Sequence, residues 1–422
     1  MSTFPVNPKT GLRILPDLNF PAVPNTRTIL DNLLKEAGLT GHSIHDGWEC
    51  GSGSTIFPSQ YLLHHILFEK TREVLDLSDS VLRKHVNYGD TKTSREQLQK
   101  SQHYLRYLKA IPQSRKELAG NDWNEVTVFR DALDYQLTLR GDICMLTGEQ
   151  EKMFLSGTEV TKMQTDQSTK GDLDEQMRNL TVSGGTSGAR TSSQKGQASK
   201  MSSDVEGRHE GLVIKEDEQL PNSFICSFSK ATISEDGGLY VTLSPTRVPF
   251  ILRTPGGNKV EEARSDGFER WALPSDTSIA GIIEAKRDPM LSEKNVIRIQ
   301  MQIGAQFFTW IGQHPPEPWE MVGQGKGAYI RQCTCIFDQD AYLAYAKFDD
   351  DYVKYVLHDQ EGKKDEKDKK GQFPVMTVRM FGPFNINVPE AVDRFATIRN
   401  GFLHQRHRAK VFCNTEDAGL KV

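Results

Sequence analysis

Residues 156–209 contain no Phe, Trp, Tyr or Pro and are rich in Ser, Thr, Gly, Gln and Lys. A stretch of this composition cannot bury enough apolar surface to offset the entropy lost on ordering it, so it predicts a disordered linker. Before it, from Ser59 to about Leu155, apolar residues recur at helical spacing, as with Leu62, Leu63, Ile66, Leu67, Val74 and Leu75. After it, from about Gly211, the pattern turns to short strand-type runs. The expected organisation is therefore an irregular segment over 1–55, a helical region over 56–155, the linker over 156–209, a mixed α/β domain over 210–410 and a tail over 411–422. The first 27 residues are Pro-rich and read as loose or laid on a surface. A short helical pattern follows and ends at Gly38.

Charge is nearly balanced over the 422 residues, with Lys+Arg 52 against Asp+Glu 56. That excludes a global basic field, so any nucleic-acid contact must be a local patch. Cys50, Cys144, Cys226, Cys333, Cys335 and Cys413 are too sparse for a disulfide framework, which suits a reducing compartment. Cys333 and Cys335 share one face of a strand and read as core residues. No run approaches the ~18 apolar residues of a membrane span, and the N-terminal residues lack a charged-then-apolar signal pattern. The expectation is an intracellular protein, nuclear or cytoplasmic, with no membrane partner.

In the C-terminal part, "NSFICSFSKATI" and "GGLYVTLSP" read as strands around the break "SEDGG". Further strand-type runs are "VPFILRT", "DGFERWAL", "SIAGIIEAKR", "AYIRQCTCIFDQDAYLAYAKF", "DYVKYVLHD" and "FPVMTVRMFGPFNI". The "EGKKDEKDKKGQ" insertion reads as a solvated loop, and Pro389 suits the first turn of a closing helix.

The chemistry concentrates in "IAGIIEAKR", an apolar strand ending in an acid and a base. Side chains alternate on a strand, so Glu284 and Lys286 point to one face. Burying both is costly unless they pair or bind something. A carboxylate beside an ammonium can ligate a hard divalent cation and hold a water or a phosphate oxygen next to it. The strand "DGFERWAL" precedes this one across the short connection "PSDTS". An antiparallel return would set Asp266 near Glu284, while Asp276 would lie at the far end of the hairpin. The following segment is helical by period, with Val296, Ile299, Ile303 and Phe307 as its apolar stripe. Gln302 and Gln306, four apart, share another face. The plainer alternative is a surface ion pair between Glu284 and Lys286 that contributes little.

The order of acid, strand, turn, strand, Glu-x-Lys and Gln-bearing helix resembles the PD-(D/E)XK nuclease-like superfamily. "EAKR", "IQMQIGAQFFTW" and "MFGPFNI" look similar to a fungal group within it. The resemblance covers roughly residues 211–408. It implies a restriction-endonuclease-like mixed sheet flanked by helices and a metal-dependent nuclease acting on nucleic acid, DNA favoured. Asp266 and Glu284 would ligate Mg²⁺ or Mn²⁺, Lys286 would position the attacking water or stabilise charge on the phosphate, and Gln302 would assist. A catalytically inactive fold serving as a binding module for nucleic acid or protein is the alternative. Two features depart from the superfamily's pattern. Arg264-Ser265 stand before the acid, where a proline is usual. The first core helix, which often brings another Glu, is not evident, leaving Glu261 or Glu262 to serve.

Other motifs carry less. His42, His45 and Cys50 lack a fourth metal ligand. His64 and His65 read as a packed or half-exposed pair, and Trp310 and Trp319 as core. The "GQGKGAY" run lacks P-loop spacing. "HQRHRAK" could touch phosphate but reads first as a solvated helix end.

Overall fold

A computed structural model describes residues 4–19, 21–118, 126–141, 218–272, 278–290, 293–321, 327–358 and 373–417. All of these belong to one of two compact units, Met1–Asp142 with Glu216–Val422. The expected linker over 156–209, Cys144, Asp276 and the Lys-rich insertion lie outside the described residues.

Ten helices are described: α1 (Arg27–Glu36), α2 (Pro58–Leu62), α3 (Tyr88–Lys100), α4 (Gln102–Ala110), α5 (Arg115–Leu118), α6 (Arg130–Leu139), α7 (Gln219–Asp236), α8 (Glu293–Gln313), α9 (Asp350–Leu357) and α10 (Pro389–Asp417). The strands are β1 (Ile66–Phe68), β2 (Val241–Ser244), β3 (Val248–Arg253), β4 (Lys259–Ser265), β5 (Gly267–Trp271), β6 (Ile279–Lys286), β7 (Ala328–Phe337), β8 (Asp340–Asp349) and β9 (Met376–Asn385). Seven of them form one sheet in the order β1-β9-β8-β7-β6-β5-β2, and β3 pairs with β4 in a separate hairpin. The sheet is mixed but mostly antiparallel, since only β1 with β9 and β6 with β7 run parallel.

Alternation along each strand sends side chains into two cores. Ile282, Cys333 and Cys335 point into the core shared with α1, α2, α8 and the β3–β4 hairpin. Ile283, Ala285 and Tyr345 point to the other side, where α3, α4, α6, α7 and α10 supply Leu98, Tyr104, Leu133, Phe228 and Phe395 in turn. Each of the larger apolar side chains, such as Ile282 or Phe228, contributes roughly 1.5–3 kcal/mol on burial. The N-terminal residues are not independent of the sheet: β1 joins its edge, and Ile66 and Phe68 are buried in the first core. Residues 4–19 are tied down by bridges from Val6 to Arg13 and from Arg13 to Trp48.

Several expectations are corrected here. "NSFICSFSKATI" forms α7 rather than a strand, because Phe224, Ile225, Phe228, Ala231 and Thr232 recur at helical spacing and are all buried. Gly237, at φ 68°, ends α7 in the left-handed conformation. "DYVKYVLHD" is likewise helical, as α9, with Asp349 capping it through the Tyr352 N–H. The last helix runs to Asp417, beyond the expected end at 410. "HQRHRAK" is not a solvated end: Arg406 and Lys410 are buried, with Arg406 paired to Glu320 and both cations lying over Trp319.

One buried polar network joins three helices to the sheet. Glu269 on β5 pairs with Arg399 on α10, and both are fully buried. Arg399 donates to Asn400, which donates to Asp236 on α7, and Ser94 on α3 donates to the same carboxylate. Gly281 makes room for this on β6, because a Cβ there would lie 2.7 Å from Glu269 Oε2. Close approach also joins α3 to α10. A Cβ on Gly401 would sit 2.8 Å from Thr91 Cα and 2.9 Å from its backbone nitrogen. Backbone cannot yield as a flexible side chain can, so Gly401→Ala is expected to destabilise by about 1–3 kcal/mol, despite alanine's better helix propensity. Urea unfolding at constant m-value checks this; equal or higher stability would mean that the two helices separate freely.

Candidate active site

Asp266 occupies the single position between β4 and β5. Its N–H donates to Ile283 O at 2.9 Å, and its Oδ2 accepts from the Ala285 N–H at 3.0 Å. Antiparallel pairing of Gly267 with Ile283 therefore brings Asp266 opposite Glu284, the juxtaposition expected from the hairpin. Glu284 is 1% exposed. The helix that follows β6 lies over this side of the sheet and lowers two carboxamides onto Glu284. Gln302 Nε2 donates to its Oε1 at 2.6 Å and Gln306 Nε2 to its Oε2 at 2.5 Å. Gln306 also donates to Arg264 O at 2.7 Å.

Lys286 completes the cluster. Its ammonium lies 2.7 Å from Glu284 Oε1 and 3.7 Å from Asp266 Oδ2. It also lies 3.7 Å from an oxygen of Glu218, an acid absent from the sequence-based set. Glu218 stands at the N-cap of α7 and shares Arg247 with Asp266, at 3.3 and 3.0 Å. Asn222, one turn into α7, donates to Asp266 O at 3.0 Å. The helix that brings an acid to the cluster is thus α7. Its one sequence signal was the Gly237-Gly238 pair, which suits a helix end as well as the hairpin break expected there.

Glu261 and Glu262 do not fill that role. Glu261 is buried against His64 at 2.7 Å, and Glu262 pairs with Lys259 and Arg264. His42, His45 and Cys50 do not converge either. His42 pairs with Asp46, and the His45 Nε2 meets Val356 O at 2.9 Å. Burial and the nearby Glu261 push the Cys50 thiol far up, which disfavours the thiolate that a metal needs.

The electrostatics follow from burial. Burial pushes the Glu284 carboxyl up to about 7, against the lowering pull of Lys286. Asp266 beside it raises it further. For Lys286, burial acts downward, but the Glu284 and Asp266 carboxylates outweigh it and hold the ammonium above its ordinary value. The cluster opens onto a cleft of about 560 Å³ lined by Asp266, Lys286, Gln302, Arg247 and the loop around Gly51 and Gly53.

Three carboxylates within 3.7 Å of one ammonium are hard oxygen donors facing a common point, a set whose chemistry suits Mg²⁺ or Mn²⁺. Lys286 stands at that point. Among the described residues no group of three or more His, Cys, Asp or Glu is already arranged to hold a metal ion. No family model, curated protein or solved structure matches the chain.

A pH dependence of stability follows. Glu284 has a folded-state pKa raised from 4.5 to about 7, so its contribution is fully present below 4.5 and lost as pH rises through about 7. Glu284→Gln lacks that loss. The stability of the wild type relative to the variant is therefore expected to fall between about pH 4.5 and about pH 7, read by urea unfolding. A difference that stays flat would mean that Glu284 does not titrate in this window.

Proposed function

We propose that this protein is a metal-dependent nuclease that hydrolyses phosphodiester bonds of nucleic acid, with DNA the favoured substrate, working in the nucleus or cytoplasm. The observation that carries the reading is the meeting of Asp266 and Glu284 at one ammonium, with Gln302 on the inner carboxylate. Helix α7, strands β2, β5 and β6, helix α8 and strand β7 come in this order along the chain, with the separate β3–β4 hairpin inserted between β2 and β5. That succession supports a restriction-endonuclease-like core, since it contains the order of acid, hairpin, Glu-x-Lys and helix on which the resemblance to the PD-(D/E)XK superfamily rests.

In this reading Asp266 and Glu284 hold Mg²⁺ or Mn²⁺, with Glu218 in reach as a further oxygen donor. When bound there, such an ion supplies a Lewis acid for the phosphate and lowers the pKa of a water. The chain's own residues do the rest. The Ala285 N–H fixes the orientation of Asp266. Gln302 and Gln306 orient Glu284 and stabilise its ionised form. Lys286, freed from the carboxylates, donates to a phosphate oxygen or to the attacking water and offsets the charge that develops on the phosphate.

Incubation of single- and double-stranded DNA and RNA with Mg²⁺ or Mn²⁺ tests this. Wild type is expected to cleave, with Glu284→Gln and Lys286→Ala each lowering the rate by about 100-fold or more, as loss of a group that stabilises transition-state charge does. Activity unaffected by both changes would sink the assignment.

One observation favours a second reading, a nuclease-like fold retained as a binding module. Both Glu284 oxygens and both Asp266 oxygens already accept from protein donors. Calorimetry with Mn²⁺ separates the two: heat of binding that disappears in Asp266→Ala supports the metal site, and its absence from the wild type supports the module.

A further inference from the structure

We propose that Arg298 is the residue that takes the nucleic-acid phosphate at the mouth of the cleft; this rests on the nuclease reading of the same site. The cations that line the cleft differ in one respect. Lys259 and Arg264 are both held by Glu262, each at 2.7 Å. Arg247 is held by Asp266 and Glu218, and Lys286 by the three carboxylates described above. Arg298 lines the same cleft and is exposed, and among the described residues it has no ion-pair or hydrogen-bond partner.

Its position on α8 gives that freedom a direction. Arg298, Gln302 and Gln306 are spaced four apart and so form one stripe along the helix. Gln306 and Gln302 end on Glu284, at the floor of the cleft. Arg298 lies one turn nearer the helix N-terminus and continues the stripe to the mouth. A guanidinium there can meet a phosphate with two parallel N–H donors without first breaking a protein ion pair, which every other cation lining the cleft must do. Arg298 would thus anchor the backbone of the substrate while Lys286 faces the scissile phosphate. It is a binding residue, separate from the groups that act on the reacting atoms.

Anisotropy of a fluorescein-labelled DNA oligonucleotide, single-stranded and duplex, titrated with full-length protein in EDTA tests this over a series of salt concentrations. Arg298→Ala is expected to weaken binding by about tenfold and to reduce the slope of log K against log salt by about one. Arg298→Lys should restore the slope and part of the affinity, because a point charge replaces the fork. Lys230→Ala, an exposed cation outside the cleft, should leave both unchanged. Binding and slope unaffected by Arg298→Ala overturn the proposal, as does a wild type that binds neither form of DNA. The two readings fail separately. DNA binding that depends on Arg298 without any cleavage leaves the phosphate site and removes the nuclease. Cleavage lost in Glu284→Gln, with binding indifferent to Arg298→Ala, leaves the nuclease and removes this site.

Discussion

Strand β6 has an antiparallel neighbour on one side and a parallel neighbour on the other, and the site depends on that difference. An antiparallel partner is reached by a short turn, so β5 can place Asp266 directly against Glu284. A parallel partner requires the chain to travel back across the sheet before β7 begins, and α8 is that crossing. The helix must cover one face of the sheet, and period 2 has already put Glu284 and Lys286 on that face with Ile282. Two carboxamides four residues apart are then enough to reach both oxygens of the buried acid. The cluster is a consequence of strand direction as much as of residue choice.

The molecule buries two glutamates in its sheet and treats them differently. Glu269 meets Arg399, whose planar guanidinium is always charged and is held by Asn400 in turn. That pair is fully enclosed, and removing one partner from such a pair costs about 3–5 kcal/mol. Glu284 instead meets a lysine at the wall of an open cleft. An ammonium on a flexible stem can leave, and the carboxamides of Gln302 and Gln306 stay behind to hold the acid. The first arrangement anchors α10 and α7 to the sheet. The second keeps a charged group poised next to solvent, at the cost of a carboxyl that ionises only near neutral pH.

The site was legible in the sequence where a short-range rule governed it. Alternation put Glu284 and Lys286 together, a short connection set Asp266 opposite, and the four-residue spacing aligned Gln302 with Gln306. Glu218 was not legible, because it belongs to a helix whose sequence resembles a strand. Phe224, Ile225, Phe228, Thr232 and Ile233 are residues of strand preference, and packing of one helical face into the second core overrides that preference. The same competition hid α9, where Tyr352, Val353, Tyr355 and Val356 suggest a strand. Arg406 and Lys410 escaped for another reason. Their charged heads lie over the Trp319 ring and find partners from distant parts of the chain, Glu320 for Arg406 and the Ser278 hydroxyl oxygen for Lys410.

The N-terminal residues, which showed no chemistry of their own, build one wall of the cleft. Cys50, Gly51, Ser52 and Gly53 line it. The fully buried Gln60 pins this loop from both sides, accepting from the Gly51 N–H at 2.9 Å and donating to the Gly51 carbonyl at 3.2 Å. Gly53 lies so close to β4 that a Cβ would come within 2.5 Å of the Ala263 Cβ. The contact continues inward, where Gly304 of α8 accepts the ring of Tyr61: a Cβ there would be 2.8 Å from Tyr61 Cε2. Any side chain at Gly304 would push α2 and its loop outward, or tilt α8 and with it Gln302 and Gln306. The helix that orients Glu284 is therefore seated against residues from before the sheet region. A fragment beginning at residue 210 would keep the acids and the lysine while losing the surface that sets the height of the two glutamines above them.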